Sequence, residues 1–418
     1  MNRRKFLTHI LLVSAMAGLA VPTLAKARFP SPRIKDGSGP RKIIFISDIH
    51  LSANASTAWI YEHIGPLANF LQTLNTRLDV SELVILGDLL DDWNVPSDYP
   101  PSTFEEILDA AHNEPVVTAL QEICANPNTH VTYVTGNHDL LSFEPAAKML
   151  IETTFPGMEI CSDDPGLGVY TLDEVLWAEH GHRYTLFNAP DIWSHSGSHL
   201  PLGYFITRLV ASKSEAEGSL YTSPDIIKQF AQSQLKSLIP SNANQDLLIA
   251  AIFNAIALWA GKWPWDSFIM EGKDDFTPDP TVLNATQWYA PIMSAWPDRQ
   301  NIVIPDMALL NEVGYMINSA QLLFTMPKKI KKYYPFKPRI VLFGHTHKAR
   351  FWQRIGLPST IYTNTGTWID SKPMTWVEVD VQDRKHSRRS YTVSLWYEGQ
   401  GKPSQSGTIL VATSMGKG

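Results

Sequence analysis

The sequence has few cysteines and no overall positive charge. Two cysteines among 418 residues, Cys124 and Cys161, are too few for a disulfide-rich scaffold, and they are not spaced as zinc ligands. We expect two buried thiols, with a single disulfide bridge as the alternative. The formal net charge of −6 is unfavourable for general binding to nucleic acid or to anionic membranes, because both are negatively charged. Nucleic acid is therefore not the expected partner.

The first 27 residues are predicted to be an export signal. Arg3-Arg4-Lys5 precedes an apolar stretch at residues 10–21 that is short for a membrane span, and small residues at 25–27 suit a cleavage site. The paired arginines resemble a twin-arginine signal, and the alternative is an ordinary secretory signal or an uncleaved anchor. We expect the twin-arginine machinery to deliver a folded bacterial protein to the periplasm or the medium, without a transmembrane segment after signal removal.

Short apolar runs alternate with helical patterns along the rest of the chain. Runs that end in Gly, Asp, Asn or His predict central strands at residues 42–47, 83–86, 130–135, 175–179 and 339–343. Helix-compatible spacing lies between them, at residues 58–76, 103–124 and 145–154. A later group is predicted to add antiparallel strands that close the sheet, at residues 361–365, 375–381 and 391–397. This order predicts a layered α/β fold with functional side chains on loops at strand ends.

The composition changes between residues 183 and 337, which are rich in Trp, Tyr, Pro and Ser. This segment is longer than a loop requires, so we predict a mainly helical cap at residues 190–335, inserted into a catalytic domain at residues 41–400. Residues 247–260 are apolar on every face apart from Asn254, and their length favours a buried helix over a membrane span. The alternative is an apolar wall or lid that accepts an acyl chain or touches the membrane.

Five short motifs place metal-ligating side chains at the ends of the predicted strands. Their side chains are carboxylate, amide and imidazole groups with no thiolate, a set that suits divalent metal ions. Each motif alone is a weak signal, because such residues are also common in turns. Together they supply enough ligands for two ions around a shared carboxylate, which predicts metal-assisted hydrolysis. The motifs are Asp48-Ile49-His50, Gly87-Asp88-Leu89-Leu90-Asp91, Gly136-Asn137-His138-Asp139, His180-Gly181-His182 and Gly344-His345-Thr346-His347.

The order of these motifs resembles the pattern of the calcineurin-like metallophosphoesterases. The resemblance covers residues 41–182 and 339–380 and leaves the segment between them unexplained. It implies a two-sheet αββα sandwich and two divalent metal ions, which in this family are Mn, Fe, Zn or Co. It also implies that Asp88 bridges the ions. The other implied ligands are Asp48, His50 and His347 for the first ion and Asn137, His180 and His345 for the second.

The resemblance also implies roles for His138 and Asp91. Two cations would neutralise the phosphate oxygens and lower the pKa of a bridging water, so the nucleophile would be a metal-bridging hydroxide rather than a side chain. His138 is similar to the family histidine that protonates the leaving alkoxide or stabilises the transition state, and Asp91 would orient its imidazole. Of the two later histidines, His180 is favoured as a ligand because it directly follows a strand, and His182 is an alternative ligand or a substrate contact.

Departures from the family pattern narrow the substrate. Asp92 and Trp93 follow Asp91 where the family's protein phosphatases carry Arg, so activity on phosphoproteins is not expected. Residues 364–368 are predicted to form a turn, with part of the phosphate pocket as the alternative. We predict an exported hydrolase that acts on a phosphorylated small-molecule or lipid-linked substrate. The alternatives are a pyrophosphohydrolase or phosphodiesterase acting on nucleotides or lipid-linked sugars, and a non-catalytic metal-binding protein of the same fold.

Overall fold

A computed structural model of the chain describes residues 41–163, 166–191, 197–238, 245–289, 320–321, 323–325 and 335–412. The predicted export signal at residues 1–27 lies outside the described residues and stays a prediction. Among the helices in the described ranges, none has the length and apolar character needed to cross a membrane.

Twelve strands and eight α-helices make up the regular structure of the described residues. The strands are β1 (Arg41–Ile46), β2 (Val80–Leu86), β3 (His130–Val134), β4 (Met158–Cys161), β5 (Tyr170–Leu172), β6 (Leu176–Ala178), β7 (Ile340–Phe343), β8 (Arg350–Arg354), β9 (Thr360–Asn364), β10 (Thr375–Arg384), β11 (Arg388–Tyr397) and β12 (Gln405–Ala412). The helices are α1 (Ile64–Thr76), α2 (Phe104–Asp109), α3 (Glu114–Ala125), α4 (Pro145–Thr154), α5 (Leu202–Glu217), α6 (Ser223–Leu238), α7 (Gln245–Trp259) and α8 (Val282–Tyr289).

The strands form two sheets. The seven-stranded sheet has the order β12-β11-β10-β1-β2-β3-β4, in which β1 to β4 are parallel and β10 to β12 extend the sheet as antiparallel strands. The five-stranded sheet has the order β5-β6-β7-β9-β8, with β6, β7 and β9 parallel. Helices α1 to α4 connect strands of the first sheet, as expected for parallel neighbours that need a crossover.

The two sheets face each other across a shared apolar core. Ile43 and Phe45 of β1 belong to a buried cluster that also contains residues of β6 and β7 from the other sheet. Ile44 and Ile46 belong to a second cluster, with residues of α1 and α3. Alternate side chains of one apolar strand thus enter two different cores, because successive residues point to opposite faces. This arrangement confirms the predicted α/β fold of two sheets with flanking helices.

Two details of the predicted secondary structure were wrong. Residues 361–365 were expected to close the same sheet as β10 and β11, but β9 lies in the other sheet between β7 and β8. Its five residues are buried, as in a central strand, and the sequence carries no signal of which sheet it joins. The expected helix at residues 103–124 is divided into α2 and α3, because Asn113 folds back and its side chain donates to the Ile107 carbonyl at 2.8 Å.

Helices α5 to α8 lie between β6 and β7, within the predicted cap. They share an apolar cluster with Trp93 and Leu140 of the sheet domain, so this region packs directly on the loops at the strand ends. Helix α7 is only partly the buried helix that was expected, because Leu247 is 67% exposed and Leu258 is 54% exposed. Part of residues 190–335 lies outside the described residues, and the domain boundaries stay predictions.

The two cysteines are free thiols in the structure. Cys161 is buried at the end of β4, whereas Cys124 near the end of α3 is half-buried. The alternative of a single disulfide bridge is therefore not supported.

Candidate active site

The predicted metal ligands lie on loops that follow strands of both sheets. The loops come after β1, β2 and β3 in one sheet and after β6 and β7 in the other. Neighbouring strands within each of these sets are parallel, so their carboxyl ends meet at one edge. Every one of these ligand residues is buried. The structure brings together all seven predicted ligands: Asp48, His50, Asp88, Asn137, His180, His345 and His347.

The first group of donor atoms comes from Asp48, His50, Asp88 and His347, which each offer one atom within 4.8 Å of the others. The Nε2 atoms of His50 and His347 are 3.1 Å apart. His347 Nε2 also lies 3.2 Å from Asp48 Oδ1. Imidazole nitrogens and carboxylate oxygens that converge in this way form a donor set typical of a divalent cation.

The second group comes from Asp88, His180 and His345, again within 4.8 Å of one another. The amide oxygen of Asn137 lies 3.1 Å from His180 Nε2 and 2.8 Å from His345 Nδ1, which places it in the same group. Asp88 belongs to both groups, as a bridging carboxylate would. His182 does not join either group, since its Nε2 lies 3.0 Å from the carbonyl oxygen of Gly166.

The residues present fit two metal ions. Asp48 Oδ1 and Asp88 Oδ2 are buried and accept no hydrogen bond from the described residues, although His347 Nε2 lies 3.2 Å from the first and His180 Nε2 lies 3.1 Å from the second. A buried carboxylate oxygen without a partner is costly, and a bound cation would remove that cost. The first ion would be held by Asp48, His50, Asp88 and His347, and the second by Asp88, Asn137, His180 and His345. These assignments agree with the predicted ligand sets and stay predictions.

Five of the ligand residues have backbones in the left-handed region, with φ between 53° and 70°. Such a conformation costs a non-glycine residue about 1–3 kcal/mol and persists only where the surroundings impose it. Strain of this kind concentrates at functional sites, so its position here supports a functional role for the cluster. The five residues are Asp48, His50, Asp88, His345 and His347.

Two motif glycines make room for the ligands. A Cβ atom on Gly136 would lie 2.2 Å from Asp88 Oδ1, a distance that real Cβ contacts do not show. A Cβ atom on Gly87 would lie 2.4 Å from His180 Nδ1, and Gly87 also has a φ of +85°. The glycines of the Gly-Asp and Gly-Asn motifs therefore allow backbone to pass directly beside ligand side chains.

Asp91 holds two histidines at once. One carboxylate oxygen lies 2.7 Å from His138 Nδ1, and the other lies 3.0 Å from His50 Nδ1. Its Oδ1 atom also accepts hydrogen bonds from the backbone N–H groups of Trp93 and Asn94, both at 3.0 Å. The sequence predicted the contact to His138 but missed the contact to His50, which no motif spacing indicates. Asp91 thus orients a predicted metal ligand as well as the predicted catalytic histidine.

The charges within the site shift several pKa values. Burial raises the pKa of Asp88, but neighbouring imidazoles outweigh burial and hold that pKa well below its usual 3.8. Burial lowers the pKa of His180, but the Asp88 carboxylate outweighs it and raises that pKa to about 9. Burial also lowers the pKa of His138, and the carboxylates of Asp91 and Asp88 raise it above its usual 6.5. The Asp88 carboxylate therefore stays ionised, and His138 retains a proton readily.

Asp139 is a site residue to which the sequence assigned no role. Its carboxylate accepts hydrogen bonds from the backbone N–H groups of Leu89, at 2.7 Å, and Gly136, at 2.5 Å. The bond from Leu89 ties the loop after β2 to the loop after β3, and the bond from Gly136 closes a turn within the second loop. Burial and the nearby charge of Asp88 raise the pKa of Asp139 to about 7.

A pocket of about 320 Å³ opens beside the cluster. The sheet domain contributes His138 and four of the seven predicted ligands, and the capping helices contribute Thr207, Ser223 and Lys228. Residues 364–368 do not line this pocket. Instead Thr367 Oγ1 donates to the Asp48 carbonyl at 2.9 Å, which favours the predicted turn over the alternative of a phosphate pocket.

The capping helices also contact the site through Trp93. Its ring stacks on His138 with the ring centroids 4.5 Å apart, and its centroid lies 5.8 Å from that of Tyr204 of α5. The fully buried Arg208 of α5 donates to the Pro96 carbonyl at 3.0 Å, on the same loop as Trp93. The sequence did not reveal these contacts, because they join segments far apart in the chain.

The sequence and the structure were compared with known protein families, curated proteins and solved structures. A family model described as calcineurin-like phosphoesterase matches residues 41–233, which contain four of the five motifs. No curated protein matches the chain. The solved structure of a dimetal phosphatase from Danio rerio is 12% identical, aligned over 88% of this chain and 98% of that chain, with a TM-score of 0.36. A likeness at that score carries no argument about fold or function. Over residues 41–233, the chain is thus similar to the calcineurin-like phosphoesterase family.

Proposed function

We propose that this phosphoesterase hydrolyses phosphoesters of small molecules with two divalent metal ions bound in the cluster. The observation that carries the proposal is the position of Asp88, which belongs to both donor groups and also accepts the backbone N–H of His138 at 2.9 Å. One buried carboxylate thus joins the two predicted ion sites to the predicted proton donor. A scaffold that only stored metal would not need that connection.

When bound, the two ions supply positive charge to a phosphate group and activate water for attack. The chain's own residues then manage the proton on the leaving group. His138 lines the pocket, and its Nδ1 is held by Asp91, so Nε2 is the ring nitrogen left for the substrate. We infer that this nitrogen donates a proton to the departing alkoxide. Stacking against Trp93 keeps the ring in that orientation.

The pocket also bears on the class of substrate. Its volume of about 320 Å³ lies at the small end of ligand pockets, which suits a small phosphorylated molecule rather than a folded phosphoprotein or a nucleic acid duplex. A phosphodiesterase or a pyrophosphohydrolase, the first alternative, would use the same two-metal hydrolysis at phosphorus. A non-catalytic metal-binding protein, the second alternative, would have the same fold without turnover.

The test is turnover by the metal-loaded protein on p-nitrophenyl phosphate and bis(p-nitrophenyl) phosphate, with bound metal measured in the same samples. We expect faster hydrolysis of the monoester, loss of activity with a chelator and recovery on adding Mn²⁺. The Asp88→Asn variant should lose both metal and activity. Preference for the diester would favour the phosphodiesterase alternative. Two bound metals with both esters inert would refute the hydrolase and favour the non-catalytic alternative.

We also propose that the protein is exported in folded form by the twin-arginine machinery. The support is the Arg3-Arg4-Lys5 run before the apolar stretch at residues 10–21. Fractionation of a bacterial host that expresses the full chain should place the protein in the periplasm or the medium. Export should stop in an Arg3→Lys, Arg4→Lys double variant. Equal export of both forms would favour an ordinary secretory signal.

A further inference from the structure

Four cationic side chains border the pocket beside the metal-ligand cluster. They come from separate parts of the chain, namely α6, the loop after β7, the start of β8 and the loop before β10. Three of them are exposed and the fourth is half-buried, so their charges are accessible to solvent rather than enclosed in a protein core. We call this group the cationic rim. It consists of Lys228, Lys348, Arg350 and Lys372.

One carboxylate already lies within the cationic rim. Lys372 Nζ is 3.2 Å from Asp225 Oδ2, and Thr222 Oγ1 donates to the same carboxylate oxygen at 2.8 Å. Burial raises the pKa of Asp225, but the hydrogen bonds from Thr222 and Lys372 and the charge of Lys348 outweigh it and leave that pKa below its usual 3.8. The rim therefore stabilises an anion at this position.

The positive charge of the rim exceeds what Asp225 can neutralise. Apart from the metal ligand Asp88, Asp225 is the single acidic residue among the described residues that line the pocket. Within the described part of the chain, Lys228 and Arg350 have no ion-pair partner across the pocket or elsewhere. Excess cations at the mouth of a concave site attract anionic ligands and raise their local concentration.

We propose that the cationic rim binds a second anionic group, a phosphate, carried by the leaving group of the substrate. This inference rests on the proposed function, because the first phosphate is the one placed at the metal-ligand cluster. A neutral leaving group would gain nothing from the two rim cations that lack an ion-pair partner among the described residues. The lining of the same pocket also carries the polar side chains of Asn188, Thr207 and Ser223, which suit the hydroxyl groups of a sugar or nucleoside. The substrate class is thus a bisphosphorylated small molecule.

The experiment compares substrates that differ by one phosphate. The pairs are fructose 1,6-bisphosphate with fructose 6-phosphate, and adenosine 3′,5′-bisphosphate with adenosine 5′-monophosphate. The first pair carries the second phosphate on a sugar, and the second pair carries it on a nucleoside. The readout is the ratio of kcat/KM for the bisphosphate to kcat/KM for its monophosphate, obtained from phosphate release by the metal-loaded full chain. We expect a ratio above one for at least one pair, and a decrease in that ratio as salt increases.

Charge variants then test whether the rim produces the preference. Lys228→Gln and Arg350→Gln should each lower the ratio about two- to fivefold, the effect of one partly screened ion pair, and the double variant about tenfold. Asp225→Asn should raise the ratio, since it removes the anion that competes for the rim. The matched control is Lys385→Gln, an exposed cation on the turn between β10 and β11, which should leave the ratio unchanged.

The outcomes separate this inference from the proposed function. Hydrolysis of p-nitrophenyl phosphate with a ratio near one for both pairs would overturn the inference and leave the proposed function intact. A preference that survives the double variant, or that falls equally in Lys385→Gln, would also overturn it. If p-nitrophenyl phosphate and all four metabolite-like probes are inert with two metals bound, the proposed function fails and the inference fails with it.

Discussion

Replacement of His138 by alanine should remove most turnover while both metal ions stay bound. The imidazole contacts Asp91 at 2.7 Å and stacks on Trp93, and it belongs to neither of the two predicted ligand sets. The link from His138 to Asp88 runs through the backbone N–H at 2.9 Å, and alanine retains that N–H. The variant therefore deletes the predicted proton donor without deleting a contact to the bridging carboxylate.

The expected loss of turnover differs between His138→Ala and Asp91→Asn because the two side chains have different roles. Loss of a general acid costs about 10²- to 10⁴-fold in turnover, which corresponds to roughly 3–5 kcal/mol of activation free energy. Asp91→Asn should behave differently, because Asp91 also holds His50, one of the predicted ligands of the first ion. Loss of such an orienting contact typically lowers metal affinity about 10- to 100-fold. Asp91→Asn should thus lose metal and turnover together.

The assay measures metal per chain after gel filtration and kcat on p-nitrophenyl phosphate, for the wild type and both variants. Thermal unfolding of the metal-loaded proteins shows whether His138→Ala is folded. We expect two metals per chain in His138→Ala with strongly reduced kcat, and fewer metals in Asp91→Asn. Equal loss of metal and turnover in a folded His138→Ala would refute the assignment, since the imidazole would then act in metal binding.

Three further predictions concern Gly136 beside the metal-ligand cluster, the buried carboxyl group of Glu82 and Arg208 of the capping helices. Gly136→Ala should lose metal and activity, because its Cβ would lie 2.2 Å from Asp88 Oδ1. Burial raises the pKa of Glu82 from 4.5 to about 6, so ionised Glu82 costs the folded state about 2 kcal/mol above pH 6. In urea unfolding, the free energy of unfolding of the wild type should therefore fall by about 2 kcal/mol as pH rises from 4.5 through 6. The Glu82→Gln variant should not show this fall. Arg208→Met should lower the unfolding free energy by about 3 kcal/mol or more, because buried carbonyls lose their donor.

The glycine and arginine predictions each have a matched control variant. Gly356→Ala places a Cβ in open space and should retain metal. Lys213→Met, on the same helix as Arg208 but partly exposed, should cost under about 1 kcal/mol, as expected for a surface ion pair. A stable Gly136→Ala that keeps two metals would contradict the close approach of the backbone to Asp88. A pH-independent difference between Glu82→Gln and the wild type would contradict the shifted pKa of Glu82.

The sequence predicted the frame of the fold and the residues of the cluster for the same physical reason. Parallel strands buried on both faces read as continuous apolar runs, and their carboxyl ends meet at one edge of a sheet. Asp48 after β1 and Asp88 after β2 could therefore be assigned to a common site before any distance was known. The sheet joined by β9 could not be predicted, because a fully buried strand has the same pattern in either sheet.

What the sequence could not predict is how the cap and the site depend on each other. Trp93 follows Asp91 closely in the chain, yet it is held between His138 and Tyr204 of α5. Arg208 of the same helix binds the carbonyl of Pro96 three residues further along that loop. The capping helices thus fix the loop that orients the predicted proton donor. Helix α6, which carries Lys228 of the cationic rim, belongs to the same apolar cluster as α5 and Trp93, so a phosphate bound at the rim would contact the packed unit that also holds His138.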